Sequence, residues 1–160
     1  MPALPPGLAP HPEGLPCRTC VWLHDAGCRL AAKDGADPVP VDGDSAGCVH
    51  HATTLDCLDC GACCREAYDS VPVEPSDVVM TRHPELLRRD GDWVDLQRVP
   101  SPTGCGTRCV ALQGDGPFTC RIYADRPTTC RDVEVGSAGC LFARRRVGLS
   151  PKVSSLPRRR

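Results

Sequence analysis

The stretch CLDCGACC places four thiols, Cys57, Cys60, Cys63 and Cys64, within eight positions. Thiols at this density serve three chemistries: a disulfide knot, a metal centre or a redox catalyst. The adjacent pair speaks against the first, because Cys63 and Cys64 could bond to each other only in a strained ring. The total of 13 cysteines is odd, which also fits a disulfide framework poorly. Thiolates bind zinc tetrahedrally, commonly as a close pair joined by a distant pair. A Cys-x2-Cys-x2-Cys run with a remote cysteine is also the ligand grammar of iron–sulfur clusters. CLDCGAC satisfies both patterns, and the Cys-Pro that often closes the second is absent. The sequence alone therefore leaves zinc and iron open.

The remaining cysteines fall into groups that match this chemistry. Downstream, Cys109, Cys120, Cys130 and Cys140 recur about every ten residues. Upstream, Cys17, Cys20, Cys28 and Cys48 form a further set that opens with Cys-x2-Cys and closes with CVHH. This set has the makings of a separate zinc site, in which His50 or His51 could replace one thiol. Cys105 is left over. A tetrathiolate zinc centre carries net negative charge and calls for nearby cations or backbone donors. Arg65, Arg121, Arg126 and Arg131 stand beside the candidate ligands in sequence.

Composition explains why metal would matter to the fold. Leu, Ile, Val and Phe make up one fifth of the 160 residues, and Gly with Pro makes up another fifth. Such a chain buries little apolar surface, so another source of stability is expected. The start of the chain lacks a basic region before an apolar run, and no stretch approaches the roughly 20 apolar residues of a membrane helix. A cytoplasmic protein without a membrane partner is expected, in a compartment that keeps thiols reduced. The net charge of −1 argues against a general polyanion binder. The segment from Leu141 onward holds seven basic residues and no acidic one, yet no aromatic follows Phe142 to stack on bases. Nucleic acid is thus an unlikely partner by this reading, and no protein partner is indicated.

The elements that must position these thiols are short. Residues 1–16 read as a flexible Pro-rich lead, 17–56 as an N-terminal cysteine module, 57–149 as the main cysteine-cluster domain and 150–160 as a basic disordered tail. Hydrophobic spacing predicts a short helix over 17–34. The run at 57–64 reads as a turn entering a helix, on which Cys57, Cys60 and Cys64 would share a face and Cys63 would point away. Ser76 is a candidate helix cap, Pro84 a second helix start and Gly91 its stop. Residues 92–99 and 108–113 alternate as strands, with FTCRIY as the return strand of a hairpin. Asp125 is a candidate cap for DRPTTCRDV, and Ser137 for a terminal helix ending at Gly148. The expected fold is a small, loop-rich, metal-stabilised α+β domain with short helices and a small hairpin.

CLDCGACC, CRIYADRPTTCRDVE and CLFARRRVGL together resemble the CxxCxxCC family of zinc- or iron-chelating proteins, the YkgJ type. The resemblance spans about Cys57 to Leu149. It implies metal chelation through Cys57, Cys60, Cys63 and Cys64, with Cys120, Cys130 and Cys140 at matching later positions and Cys109 as a looser match. The implied cofactor is Zn²⁺, iron or an iron–sulfur cluster. Cys17, Cys20, Cys28 and Cys48 lie outside the shared core. The flagellin lysine methylases are similar in the cysteine core and much longer. An alternative function is therefore an iron–sulfur-dependent redox or group-transfer enzyme, with Tyr68, Glu74, Tyr123 and Glu134 as nearby polar residues of no assigned role. Tyr123 is expected to be a packed aromatic. GDSAG at 43–47 matches a nucleophile-elbow pattern in letters only, since that motif needs a much larger sheet. A zinc-based nucleic-acid module is a second alternative, resting on the basic tail.

Overall fold

A computed structural model describes residues 4, 5 and 7–153. In chain order its regular elements are β1 (Leu23–His24), β2 (Gly27–Cys28), β3 (Val39–Pro40), α1 (Cys57–Cys60), α2 (Val79–Arg82), β4 (Leu87–Asp90), β5 (Trp93–Leu96), β6 (Arg98–Pro100), β7 (Thr107–Cys109), β8 (Leu112–Gln113), β9 (Thr119–Cys120), α3 (Thr128–Arg131) and α4 (Ala138–Arg146). Short helices and small antiparallel strand pairs make this a mixed α+β fold. The chain forms two compact units, Met1–Leu55 with Val135–Arg160, and Asp56–Glu134. The first is discontinuous in sequence, unlike the contiguous 17–56 module expected from composition.

In the first unit the expected helix over 17–34 does not form. A single 3-10 turn spans Cys17–Thr19, and β1, β2 and β3 follow as a three-stranded antiparallel sheet. Leu23 pairs with Cys28, and Cys28 with Val39. The β1–β2 turn puts Asp25 and Ala26 at φ 45° and 59°, the doubly left-handed geometry that suits the twist of a tight hairpin. Ala26 carries no turn signal in the sequence, so the hairpin was hidden. Trp22 and Leu30, 2% and 1% exposed, pack with Leu8, Cys48, Cys140 and Leu141 as the core. The Pro-rich lead is part of this unit: Pro10 bridges Cys48, Pro16 bridges Ala46, and Leu8 is buried.

Helix α4 begins as predicted, with Ser137 Oγ accepting from the Cys140 N–H at 3.1 Å. Its basic end is not simply a solvated face. Arg145 is 4% exposed. It donates to Asp34 Oδ1 at 2.6 Å, to the Leu30 and Ala32 carbonyls at 2.9 Å and to the Pro151 carbonyl at 2.9 Å. Arg144 lies over the Trp22 ring and Arg146 over the Phe142 ring. Arg158, Arg159 and Arg160 fall outside the described residues.

In the second unit β4–β5, β6–β7 and β8–β9 form three separate antiparallel pairs. The return strand after the 114–117 turn is present, with Leu112 opposite Cys120. The stretch 108–113 splits into β7 and β8 rather than running as one strand. Gly91 turns a β-hairpin at φ 58° instead of stopping a helix. Ten buried residues, among them Val79, Leu96, Cys109 and Ile122, make up the core. Asp125 does not cap α3; it pairs with His83 Nε2 at 2.8 Å and Arg82 Nη1 at 3.0 Å. The cap comes from far away in sequence. Asp77, 3% exposed, accepts from the Thr128 N–H at 2.9 Å, the Thr128 hydroxyl at 2.7 Å and the Glu74 N–H at 2.8 Å. Burial pushes its carboxyl pKa up, but these hydrogen bonds outweigh burial and hold it below the usual carboxylate range. The α3 turn that carries Cys130 is thereby fixed.

Candidate metal centre

The 57–64 run is one helical turn with an abrupt end. Asp56 caps α1, accepting from the Leu58 N–H at 2.8 Å. Gly61 ends the turn in the left-handed region at φ 56°. The Cys64 and Arg65 N–H groups then both return to the Gly61 carbonyl. Cys63 and Cys64 consequently lie beyond the helix, and the shared helical face for Cys57, Cys60 and Cys64 does not arise. A Cβ added at Gly61 would stand 2.5 Å from the Phe118 ring. Gly61→Ala should therefore cost about 1–2 kcal/mol for the left-handed backbone, plus the displacement of Phe118. Gly91→Ala, at a similar φ and facing open space, carries only the backbone cost. Urea midpoints of the two variants should separate, with Gly61→Ala the lower.

Two backbone hydrogen bonds and one side-chain contact draw the run against the later thiols. The Cys109 N–H donates to the Cys64 carbonyl at 2.8 Å, and the Phe118 N–H donates to the Leu58 carbonyl at 2.6 Å. The Arg65 guanidinium lies 4.9 Å over the Phe118 ring. The result brings Cys64, Cys109, Cys120 and Cys130 into mutual electrostatic reach, with Cys63 beside them. Burial, then the neighbouring Cys109, Cys130, Cys120 and Cys63, push the Cys64 thiol up to about 12. Burial, then Cys109 and Cys120, push Cys130 up to about 12, and Arg126 opposes them. Burial raises Cys109 as well, against N–H groups of Ala111 and Leu112 that favour its thiolate. Cys60, Cys64, Cys109, Cys120 and Cys130 are free thiols. Cys57 and Cys105 are exposed. Cys140 falls in the other unit, buried beside Cys48.

Sequence reasoning missed one residue here. Arg98, opposite Cys109 in the β6–β7 register, lies within the electrostatic reach of Cys109 and Cys64. It donates to the Arg65 carbonyl at 2.6 Å and the Thr107 carbonyl at 2.7 Å. Its buried Nη1 finds no hydrogen-bond partner among the described residues. Burial lowers its pKa, and Cys109 and Cys64 are the largest groups holding it up. A strand arginine gives no sign in sequence that it faces thiols. Of the cations expected beside the ligands, Arg126 is in reach of Cys130, but the neighbouring Tyr123 is 65% exposed under the Arg126 guanidinium rather than packed. Glu74 and Glu134 are exposed too.

The donor set suits a soft cation. Sulfurs that oppose one another's ionisation are stabilised as thiolates once a positive ion lies among them. The orphan donor on Arg98 has an obvious acceptor in a thiolate cluster. Among the described residues no group of three or more His, Cys, Asp or Glu side chains is arranged to hold a metal ion as it stands. Loading must therefore draw the sulfurs inward to about 2.3 Å from the ion.

Residues 56–144 match the CxxCxxCC family, described as "Putative zinc- or iron-chelating domain". The chain belongs to that family. It is also similar to a "Putative ferredoxin" of Acinetobacter calcoaceticus, with 32% identity over 108 residues, covering 66% of this chain and 85% of that protein. No solved structure matches it. No helix among the described residues is long and apolar enough to cross a membrane.

Proposed function

We propose that the second unit chelates zinc or iron through Cys64, Cys109, Cys120 and Cys130, with Cys57, Cys60 and Cys63 supplying the rest of its sulfur-rich edge. The observation that carries this reading is the convergence of thiols from the 57–64 run, β7, β9 and α3 on one place. Thiols so crowded oppose one another's ionisation, and a cation among them would reverse that opposition. Arg98 and Arg126 offset the negative charge that a thiolate centre accumulates. We assign the protein to a reducing compartment, the cytoplasm, where such thiols stay free.

The name of the Acinetobacter relative favours a second reading, an iron–sulfur centre that carries electrons. A bound cluster would supply one-electron transfer, whereas zinc would supply rigidity. The enzymatic alternative draws little from this chain, because Glu74, Tyr123 and Glu134 are exposed. Anaerobic purification followed by metal and sulfide analysis and visible absorption tests the proposal. A colourless protein with stoichiometric zinc supports a chelating, structural role. A brown protein with iron and labile sulfide supports the electron carrier. A folded, metal-free protein with oxidised cysteines overturns both.

A further inference from the structure

The family match begins at residue 56, so it assigns nothing to the first four cysteines of the chain. These thiols are brought together in the first unit by three separate devices. The 3-10 turn at Cys17–Thr19 sets Cys17 and Cys20 one turn apart, and residues three apart in such a turn lie on the same side. The Cys20 N–H closes the turn on the Cys17 carbonyl at 2.9 Å. The hairpin adds Cys28 at the end of β2, and the bridge between Pro10 and Cys48 adds the fourth. All four line one cavity of about 20 Å³, walled also by Leu8 and Trp22.

The wall around the four sulfurs is apolar, yet two of them meet backbone donors. Burial raises the Cys28 and Cys48 thiols, and it is opposed only in part by the N–H groups of Ala31 and Leu30 at Cys28 and of His50 and His51 at Cys48. The donors stand two and three residues after each cysteine, as a loop folded around a negatively charged sulfur requires. The His51 ring is engaged elsewhere, 3.0 Å from Thr19 Oγ1 and 3.3 Å from the Pro16 carbonyl. Neither histidine lines the cavity. The Cys17 thiol donates to the Ala46 carbonyl at 3.8 Å and must give up that proton to ligate.

We propose that Cys17, Cys20, Cys28 and Cys48 form a second, independent metal site that takes one divalent cation of tetrahedral preference, zinc in the first place. Four thiols release their protons to solvent, four sulfur–metal bonds form, and no oxidant or reductant is consumed. Four thiols around one small cavity match the donor set of a single tetrahedral ion. The four cysteines share that cavity's walls, but no three are arranged to hold an ion as they stand, so ligation must draw the sulfurs inward. The site rests on none of the second unit's thiols.

Cobalt(II), titrated into the reduced, metal-free full-length chain, is the probe. The Cys64→Ser/Cys130→Ser variant should still take up one equivalent with tetrahedral d–d bands and thiolate-to-cobalt charge transfer, and zinc should displace it. The Cys20→Ser/Cys48→Ser variant should lose that equivalent and keep any bound by the second unit. Unchanged uptake and spectrum in Cys20→Ser/Cys48→Ser overturn the site. A readout on the native chain guards against variants that fail to fold. Zinc should slow iodoacetamide labelling of Cys17, Cys20, Cys28 and Cys48 together, mapped by mass spectrometry, and a chelator should restore it. Labelling of these four that zinc does not slow also overturns it, whatever happens at Cys64 and Cys130.

Discussion

Replacing Cys64 and Cys130 together with serine should remove the metal of residues 56–134 and collapse the melting of that unit, while Cys105→Ser melts with the parent. The apolar core explains the size of the effect. Ten buried residues, several of them valine or alanine, support a unit of three detached strand pairs. Binding energy that exists only in the folded state is folding energy, and for structural zinc it reaches about 10–16 kcal/mol in small metal-dependent domains. A loss of even about 4 kcal/mol moves the midpoint of a domain this size by roughly 16–32 °C. Serine cannot replace the thiolate, and each buried hydroxyl left without a partner adds about 1–3 kcal/mol of cost. Cys105 is exposed on the 101–106 loop, so its serine variant tests for non-specific effects of the exchange. Calorimetry of the three proteins, with and without a chelator, is the measurement. Equal midpoints for the double variant and Cys105→Ser would remove metal from the account of stability.

The grouping of the cysteines was more legible than the short elements that carry them. Cysteine counting placed Cys17, Cys20, Cys28 and Cys48 in one set, and the structure lines one cavity with them. It grouped Cys109, Cys120 and Cys130, and the structure brings these three to Cys64. Thiol spacing is informative because few other uses of the residue explain such density. Cys140 was placed with the downstream set because sequence order carries no sign that the segment carrying it belongs to the first unit. The hairpin at 23–28 was misread as helix because Leu23 and Leu30 fit either period, and the decisive left-handed pair is Asp25–Ala26 rather than Asn-Gly. The cap of α3 lies 51 residues upstream, at Asp77, beyond any local pattern. Arg98 and Arg145 look alike in sequence to every solvated arginine. Only the fold shows that one faces thiols and the other is consumed by Asp34 and three carbonyls.

Metal uptake by the second unit should strengthen steeply with pH, by at least about 100-fold per pH unit near neutrality. Cys64 and Cys130, held at about 12, are neutral thiols at pH 7, so each must surrender a proton to ligate. Each displaced proton contributes about a tenfold change in affinity per pH unit; these two alone give the product, and the raised Cys109 thiol adds to it. The loaded unit holds fewer protons than the same unit without metal, so acid weakens it. Stability conferred by metal is therefore lost as pH falls. The same two thiols tilt the metal-free chain the other way. Their unfolded-state value is the ordinary 9.0, and folding raises it to about 12. Below pH 9 both states keep the protons and the contribution is complete. Between 9 and 12 the unfolded chain loses protons that the folded chain retains. Stability then declines with rising pH, by roughly 1.4 kcal/mol per unit for each thiol. Zinc competition titrations from pH 6 to 8 and urea midpoints of the chelated chain from pH 8 to 11 measure the two slopes. A pH-independent zinc affinity would mean that Cys64 and Cys130 do not ligate, because buried neutral thiols cannot bind zinc without releasing protons.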